Sequence, residues 1–223
     1  MSLRDLLAHG ARELGLDLSE GQVERFFLYM DLLKLWSARI NLTTVTEDRE
    51  VVLYHFVDSL TLLPLITDGS KVLDVGSGAG FPGIPIKIAN PTLSVTLLDS
   101  SSKKVFFMRE VIRRLGLEGI EALWERAESG GLSYKEGRFD VVVSRAVGSI
   151  KRALSISIPR LSPSGRVVLM RGKMGDAELE AMGGAGEGFK GVELVEVRRL
   201  SVPGTDRERT IVVFKKGEEG MEG

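Results

Sequence analysis

The sequence predicts an open, mostly parallel α/β sheet preceded by a helical cap and closed by an antiparallel hairpin. Three observations carry that reading. Beyond Ser70, β-favouring runs alternate with helix-period segments. A glycine-dense turn follows the first of these runs directly. The first 65 residues, by contrast, show helical periodicity and no strand alternation.

Taken in order, Leu3, Leu6, Leu7, Ala11 and Leu14 recur at spacings of three and four and lie on one face of a first helix. Ser19 followed by Gln22 forms a capping box, and Val23, Phe26, Phe27, Met30 and Leu33 continue a second apolar stripe. Asn41-Leu42-Thr43-Thr44 interrupts the pattern. Glu47, Asp48 and Glu50 suit the positive end of a third helix, which should run to about Leu63, just before Pro64. The strand candidates are Lys71–Val75, Ser94–Asp99, Phe139–Ser144 and Arg166–Met170. Val105, Met108, Ile112 and Leu115 form a helix stopped by Gly116. Val192–Leu200 and Arg209–Lys215 flank Pro203-Gly204-Thr205-Asp206 and read as a hairpin. Gly175–Gly191 reads as a loose connection, with glycines at 183, 184 and 186. There is no internal repeat. The expected organisation is one compact unit with a helical cap over 1–66, a ligand-binding core over 67–216 and a tail over 217–223.

Composition narrows the function. The 223 residues include 26 glycines, roughly 12% against a usual ~7%. The absence of cysteine excludes disulfides, thiolate zinc sites, iron–sulfur clusters and a cysteine nucleophile. No metal is expected. No apolar run is long enough for a membrane span, and Met1–Asp5 lack the basic and apolar regions of a signal peptide, so the expected address is the cytoplasm. Thirty basic against 31 acidic side chains give a net charge of −1, which does not announce a nucleic-acid binder.

The glycines concentrate in Asp74-Val75-Gly76-Ser77-Gly78-Ala79-Gly80-Phe81-Pro82-Gly83. Glycines after a strand permit a tight turn and close approach of backbone to a ligand, in the crevice where open α/β sheets bind theirs. Gly78 to Gly83 spells G-x-G-x-x-G, with Asp99 lying 21 residues beyond Gly78, so a dinucleotide and an oxidoreductase are one reading. Asp74 favours another, because a carboxylate aimed at the ligand repels a pyrophosphate and suits a cation carrying an amine and a sulfonium. Pro82 also removes a donor from the helix start that phosphate binding would use. Asp-x-Gly-x-Gly-x-Gly with an acidic residue ending the second strand is similar to the S-adenosylmethionine (SAM) site of class I, Rossmann-like methyltransferases. Asp99 would accept hydrogen bonds from the ribose hydroxyls.

Among methyl transfers, cytosine-C5 and uracil-C5 chemistry need a thiolate that this chain lacks. Exocyclic-amine methylases carry an Asn-Pro-Pro-Tyr-like motif where this chain has Ser144-Arg145-Ala146-Val147. A nucleophile needing no deprotonation, such as guanine N7, is compatible with catalysis by positioning alone. A small-molecule SAM methyltransferase and a non-catalytic SAM-binding regulator are the other classes considered.

Asn41-Leu42-Thr43-Thr44, His55-Phe56-Val57-Asp58-Ser59-Leu60, the loop from Leu73 through Pro85, Arg126-Ala127-Glu128 and Ser144-Arg145-Ala146-Val147 occur in that order. Together, from about residue 1 to Lys216, they resemble the RsmG (GidB) family of bacterial 16S rRNA guanine-N7 methyltransferases. The resemblance implies SAM as cofactor and 16S rRNA of the small ribosomal subunit as partner, with a monomer expected. It implies that Gly76, Gly78 and Gly80 floor the cofactor site beside Asp74, that Phe81 walls it, and that Ala127 and Glu128 meet the adenine. Arg145 would bind the cofactor carboxylate or an RNA phosphate. His55 would hold the cap over the pocket. No catalytic base is assigned.

RNA contacts are expected from local basic clusters beyond the strand ends. The candidates are Arg145, Lys151 and Arg152, then Arg171 and Lys173, then Arg198, Arg199, Arg207 and Arg209. Lys103, Lys104, Arg109, Arg113 and Arg114 form a further run and Arg160 another cation, while Trp36 and Phe81 are candidate stacking platforms for an unpaired base.

Overall fold

In a computed structural model the described residues are 1–45, 47–125, 138–145, 148–175 and 192–217. The cap begins with α1 (Leu3–Glu13) and α2 (Glu20–Ser37). Both start with a capping box, Ser2 with Asp5 and Ser19 with Gln22. Gln22 does more than cap: its Nε2 donates to the carbonyls of Ile88 and Ala89, 2.9 Å each, tying α2 to the end of α5 (Gly83–Ala89).

The third helical stretch is not one regular helix. α3 (Asp48–Val51) passes into a π-helical segment, Val52–Val57, and then α4 (Asp58–Leu60), ahead of a short 3₁₀ turn at Leu63–Leu65. Every residue from Val51 to Leu60 except Tyr54 is buried. A helix enclosed on all sides has no polar face, which is why its sequence carries no amphipathic period.

Seven strands form one sheet: β1 (Lys71–Val75), β2 (Ser94–Asp99), β3 (Ile120–Trp124), β4 (Phe139–Ser144), β5 (Leu161–Arg171), β6 (Val192–Ser201) and β7 (Glu208–Lys216), in the order 3-2-1-4-5-7-6. β1 to β5 are mutually parallel, and β7 runs antiparallel to both β5 and β6. The predicted hairpin is present, but its second strand inserts between β5 and β6 instead of closing the edge. β3 is an edge strand that sequence reading missed, because only Ala122 of its five residues is buried. Alternate residues on the central strands serve opposite faces. Val141 and Val143 join the cluster that includes the cap, α5 and α6 (Ser102–Leu115), whereas Val142 joins the one beneath α7 (Ile150–Ser157). One apolar cluster therefore runs from Leu6 and Phe26 through to Val168 and Val213.

Strand order reverses at β1, with β2 on one side and β4 on the other, so the crevice at the carboxyl ends of these three strands is the expected ligand position. The Gln22 bridge sets how the cap sits beside it. Replacing Ser19 by Ala should cost about 1 kcal/mol, the usual value of an N-cap. Gln22→Ala should cost roughly twice that, since it also strips two carbonyls at the end of α5 of their donor. Urea unfolding of both variants checks the ranking.

Candidate functional site

The glycine loop is wired to the end of β2. The amides of Gly76 and Ser77 donate to Leu98 O, while Ser77 Oγ donates to Asp74 O and accepts from the Leu98 amide. Gly76, Gly78 and Gly80 all have positive φ. Gly80 has no room for a β-carbon, which would meet the Ile84 side chain and the Tyr29 hydroxyl. Gly78 is the opposite case, with only Gly76 O at 4.0 Å. Glycine is needed at 80 by packing, and at 78 by its backbone angle and the open space above it.

That open space is a cavity of about 260 Å³ lined by Leu42, Thr43, His55, Gly76–Ala79, Phe81, Asp99, Lys104 and Arg145. Asp99 ends β2 and spends one oxygen on the Gly78 amide (2.9 Å) and the other on the Ser101 amide (2.8 Å). Each carboxylate oxygen keeps a second lone pair, so ribose hydroxyls could still donate to it.

The cap supplies the opposite wall. His55, on the π-helical segment, stacks on Phe81 with centroids 4.4 Å apart. The Arg145 guanidinium carbon lies 5.3 Å from the centre of the same Phe81 ring. Arg145 Nη1 donates to Tyr54 O, and Nη2 lies 3.3 Å from His55 Nδ1. Thr43 Oγ1 sits 2.8 Å from His55 Nε2 and accepts from the Val45 amide. Nδ1 also lies 3.1 Å from Tyr54 O, so two tautomers satisfy the network: Nδ1–H donating to Tyr54 O with Thr43 Oγ1–H donating to Nε2, or Nδ1 accepting from Arg145 with Nε2–H donating to Thr43. Burial, then the Arg145 charge, depress the His55 pKa to about 3, so the ring is neutral.

Beneath this wall lies Asp58, fully buried. Arg209 of β7 grips it with two parallel bonds, Nε to Oδ1 and Nη2 to Oδ2, each 2.6 Å. Arg145 Nη1 stands 3.6 Å from Oδ2. Burial works against the Arg145 charge and Asp58 supports it. Sequence reading could not find this pairing, since its partners are 151 residues apart.

Of the residues expected at the site, Gly76, Gly78, Phe81, Asp99 and Arg145 line the cavity. Gly80 shapes the loop from below. Asp74 is not where the charge argument put it. It is fully buried under the loop, where Oδ2 accepts from the Gly83 amide (2.9 Å) and Oδ1 has no partner, and burial raises its pKa to about 7. Ala127 and Glu128 lie outside the described residues, as do the glycines at 183, 184 and 186. Lys104, expected only as part of the basic run from Lys103 to Arg114, lines the cavity.

The basic candidates separate clearly. Arg209 is committed to Asp58 and only 14% exposed, so it is an internal strut instead of an RNA contact. Arg207 lies over the Tyr54 ring, 3.7 Å from its centroid. Arg198 is paired with Glu196, Lys173 with Glu208, and Arg171 donates to Gly148 O. Lys173, Arg199 and Arg209 border a groove of about 460 Å³ beside Glu208. Lys151 and Arg152 are exposed on the first turn of α7. Arg160 is buried, Arg109 donates to Ala122 O, and Arg113 and Arg114 both hold Glu110. Phe81, 4% exposed and stacked on His55 and Tyr29, has no free face for a base.

The sequence profile of the GidB family, described as rRNA small subunit methyltransferase G, matches residues 22–207. This chain belongs to the GidB family. Among similar proteins, the ribosomal RNA small subunit methyltransferase G of Acetivibrio thermocellus is 40% identical over 97% of this chain and 89% of its own. The protein of that name from Lachnoclostridium phytofermentans is 43% identical over 94% and 88%. A solved SAM-dependent methyltransferase from Aquifex aeolicus shares the fold, with a TM-score of 0.58 at 16% identity over 83% of this chain and 97% of that one. The Rossmann-like class I fold read from the sequence is therefore the fold of this GidB chain.

Two outcomes test the electrostatics. Asp58→Asn leaves two guanidinium groups without their buried anion and should cost about 3 kcal/mol in urea unfolding. For Asp74, the folded pKa of about 7 lies above the ordinary carboxylate value of 3.8, so its contribution to stability is complete below pH 4 and is lost as pH rises towards 7. Asp74→Asn should flatten unfolding free energy over that window. An unchanged pH slope would show that the carboxylate is not protonated in the fold.

Proposed function

We propose that this GidB chain transfers the methyl group of SAM to N7 of a guanosine in 16S rRNA of the small ribosomal subunit, acting as a cytoplasmic monomer. The observation that carries the reading is the state of the cavity's titratable groups. Asp99 is engaged by two backbone amides, and neutral His55 has both ring nitrogens in use. Lys104 and Arg145 are cations. Among the described residues, none is a base waiting for a proton. Guanine N7 needs none, because its lone pair is exposed at neutral pH, and positioning supplies the rate.

When bound, SAM supplies an electrophilic methyl group on a sulfonium. The chain's own part is to hold the reactants. The open face of Gly78 admits the cofactor closely, and Asp99 receives its ribose hydroxyls. The positive charge that develops on the purine would be opposed by a bare guanidinium nearby. Asp58 offsets part of the Arg145 charge and holds that group against Phe81. Arg145 is thus a binding residue, and His55 and Asp58 position it. Lys151 and Arg152 remain the outer candidates for phosphate contact.

Labelled SAM and 16S rRNA lacking the modification give the direct test. The product nucleoside should be 7-methylguanosine, whose charged ring makes the RNA cleavable by borohydride and aniline. A methyl group on another atom, or on no RNA, would overturn the reading. Gly78→Ala supplies a second test. Its methyl meets no protein side chain, so folding should lose only about 1 kcal/mol from the left-handed backbone. Occupying the cavity should weaken SAM binding at least tenfold in a calorimetric titration, by roughly 1.4 kcal/mol or more.

A further inference from the structure

An aromatic surface where the end of α2 meets the first turns of α6 is not used by any of the above. Trp36, in the last turn of α2, is half-buried, with its ring centroid 5.6 Å from Phe106 and 5.8 Å from Phe107 of α6. Phe107 is buried, but Phe106 is 63% exposed. The core does not require a large ring at 106, since Phe107, Met108 and Val111 already supply the buried face of the helix.

The surroundings of Phe106 are cationic. Lys103 lies one turn before it and is exposed, Lys104 reaches into the cavity, and Arg39 is exposed one turn beyond Trp36. None of these three makes an ion pair among the described residues, and the first turn of α6 carries no acidic side chain. The next carboxylate along α6, Glu110, is held by Arg113 and Arg114.

The chain on either side of these two elements leads to the cavity. Leu42 and Thr43, which follow α2, line it, and so does Asp99, which precedes α6. A strand of RNA delivering a guanosine to the cavity would run past these elements.

We infer that Trp36 and Phe106 form a stacking platform for an unpaired nucleotide flanking the target guanosine, with Lys103, Lys104 and Arg39 on its phosphates. The inference rests on the rRNA reading above and specifies how that substrate is held. An exposed ring beside a half-buried one, with cations that make no ion pair among the described residues, matches the chemistry of single-stranded nucleic acid, whose bases stack and whose phosphates seek positive charge.

The experiment compares wild type, Phe106→Ala, Phe106→Tyr and Lys103→Ala in methyl transfer to 16S rRNA, with SAM affinity and melting temperature measured for each. Loss of the exposed ring should raise the KM for RNA about tenfold, the scale of one lost base–aromatic stack. Phe106→Tyr, which keeps the ring, should stay near wild type. SAM affinity should be unchanged in both. Lys103→Ala should lower the slope of log KM against log salt by about one. An unchanged KM in Phe106→Ala, with wild type active, overturns the platform while leaving the rRNA reading intact. So does a dimer in sedimentation that Phe106→Ala dissociates without altering KM, which would assign the rings to self-association. Failure of the wild type to methylate any ribosomal RNA removes the reading itself and the platform with it.

Discussion

The buried Asp58 carboxylate is the constraint on which the site depends. It joins three parts of the chain: the cap through α4, the end of β4 through Arg145, and the second strand of the hairpin through Arg209. A lone charge in that position would be intolerable. Two guanidinium groups and the bidentate geometry make it stable, and they also fix where those groups point. Arg145 is thereby held under Phe81 and beside His55, so one ion cluster places the cavity wall. The insertion of β7 between β5 and β6 has a consequence here. It brings Arg209 from the far end of the sequence to the sheet's carboxyl edge, where Asp58 needs a partner.

The glycine loop is the complementary constraint. Its amides are consumed by Leu98 O, by Ser77 O and by the Asp99 and Asp74 carboxylates, which together make it rigid. Asp74 and Asp99 thus divide the labour that their shared acidity suggests they would perform together. Asp99 faces the cavity, while Asp74 is shut beneath the loop and helps to hold the start of α5.

Much of this was legible in the sequence, for identifiable reasons. The ends of β1, β2 and β4 fall where the apolar runs end, and Ser19 with Gln22 marks the start of α2, because those signals are local. The glycine spacing likewise places the ligand edge, since positive φ and close packing are properties of single residues. What was not legible is either non-periodic or long-range. Val51–Leu60 has no period to read because it is buried on all sides. β3 is too exposed to look like a strand. The ranking of the basic residues failed at Arg209, since charge alone does not reveal a carboxylate 151 positions away. Nor does it reveal that Phe81 is buried against His55 and Tyr29 while Phe106 is largely exposed.

The near-zero net charge also takes on a physical meaning. A chain with 30 basic and 31 acidic side chains has little long-range attraction for polyanions, so non-specific binding to RNA gains little from counterion release. Many of its cations are spent internally or on neighbouring carboxylates: Arg209 on Asp58, Arg198 on Glu196, Lys173 on Glu208, Arg113 and Arg114 on Glu110. Among the described residues Lys103, Lys104 and Arg39 make no ion pair, and Lys104 lines the cavity. Under the rRNA reading, that distribution disfavours binding along duplex backbone and rewards a loop that can place one base in the cavity and its neighbour on an exposed ring. Selectivity then comes from the shape of a single-stranded segment, which a uniformly basic surface would not provide.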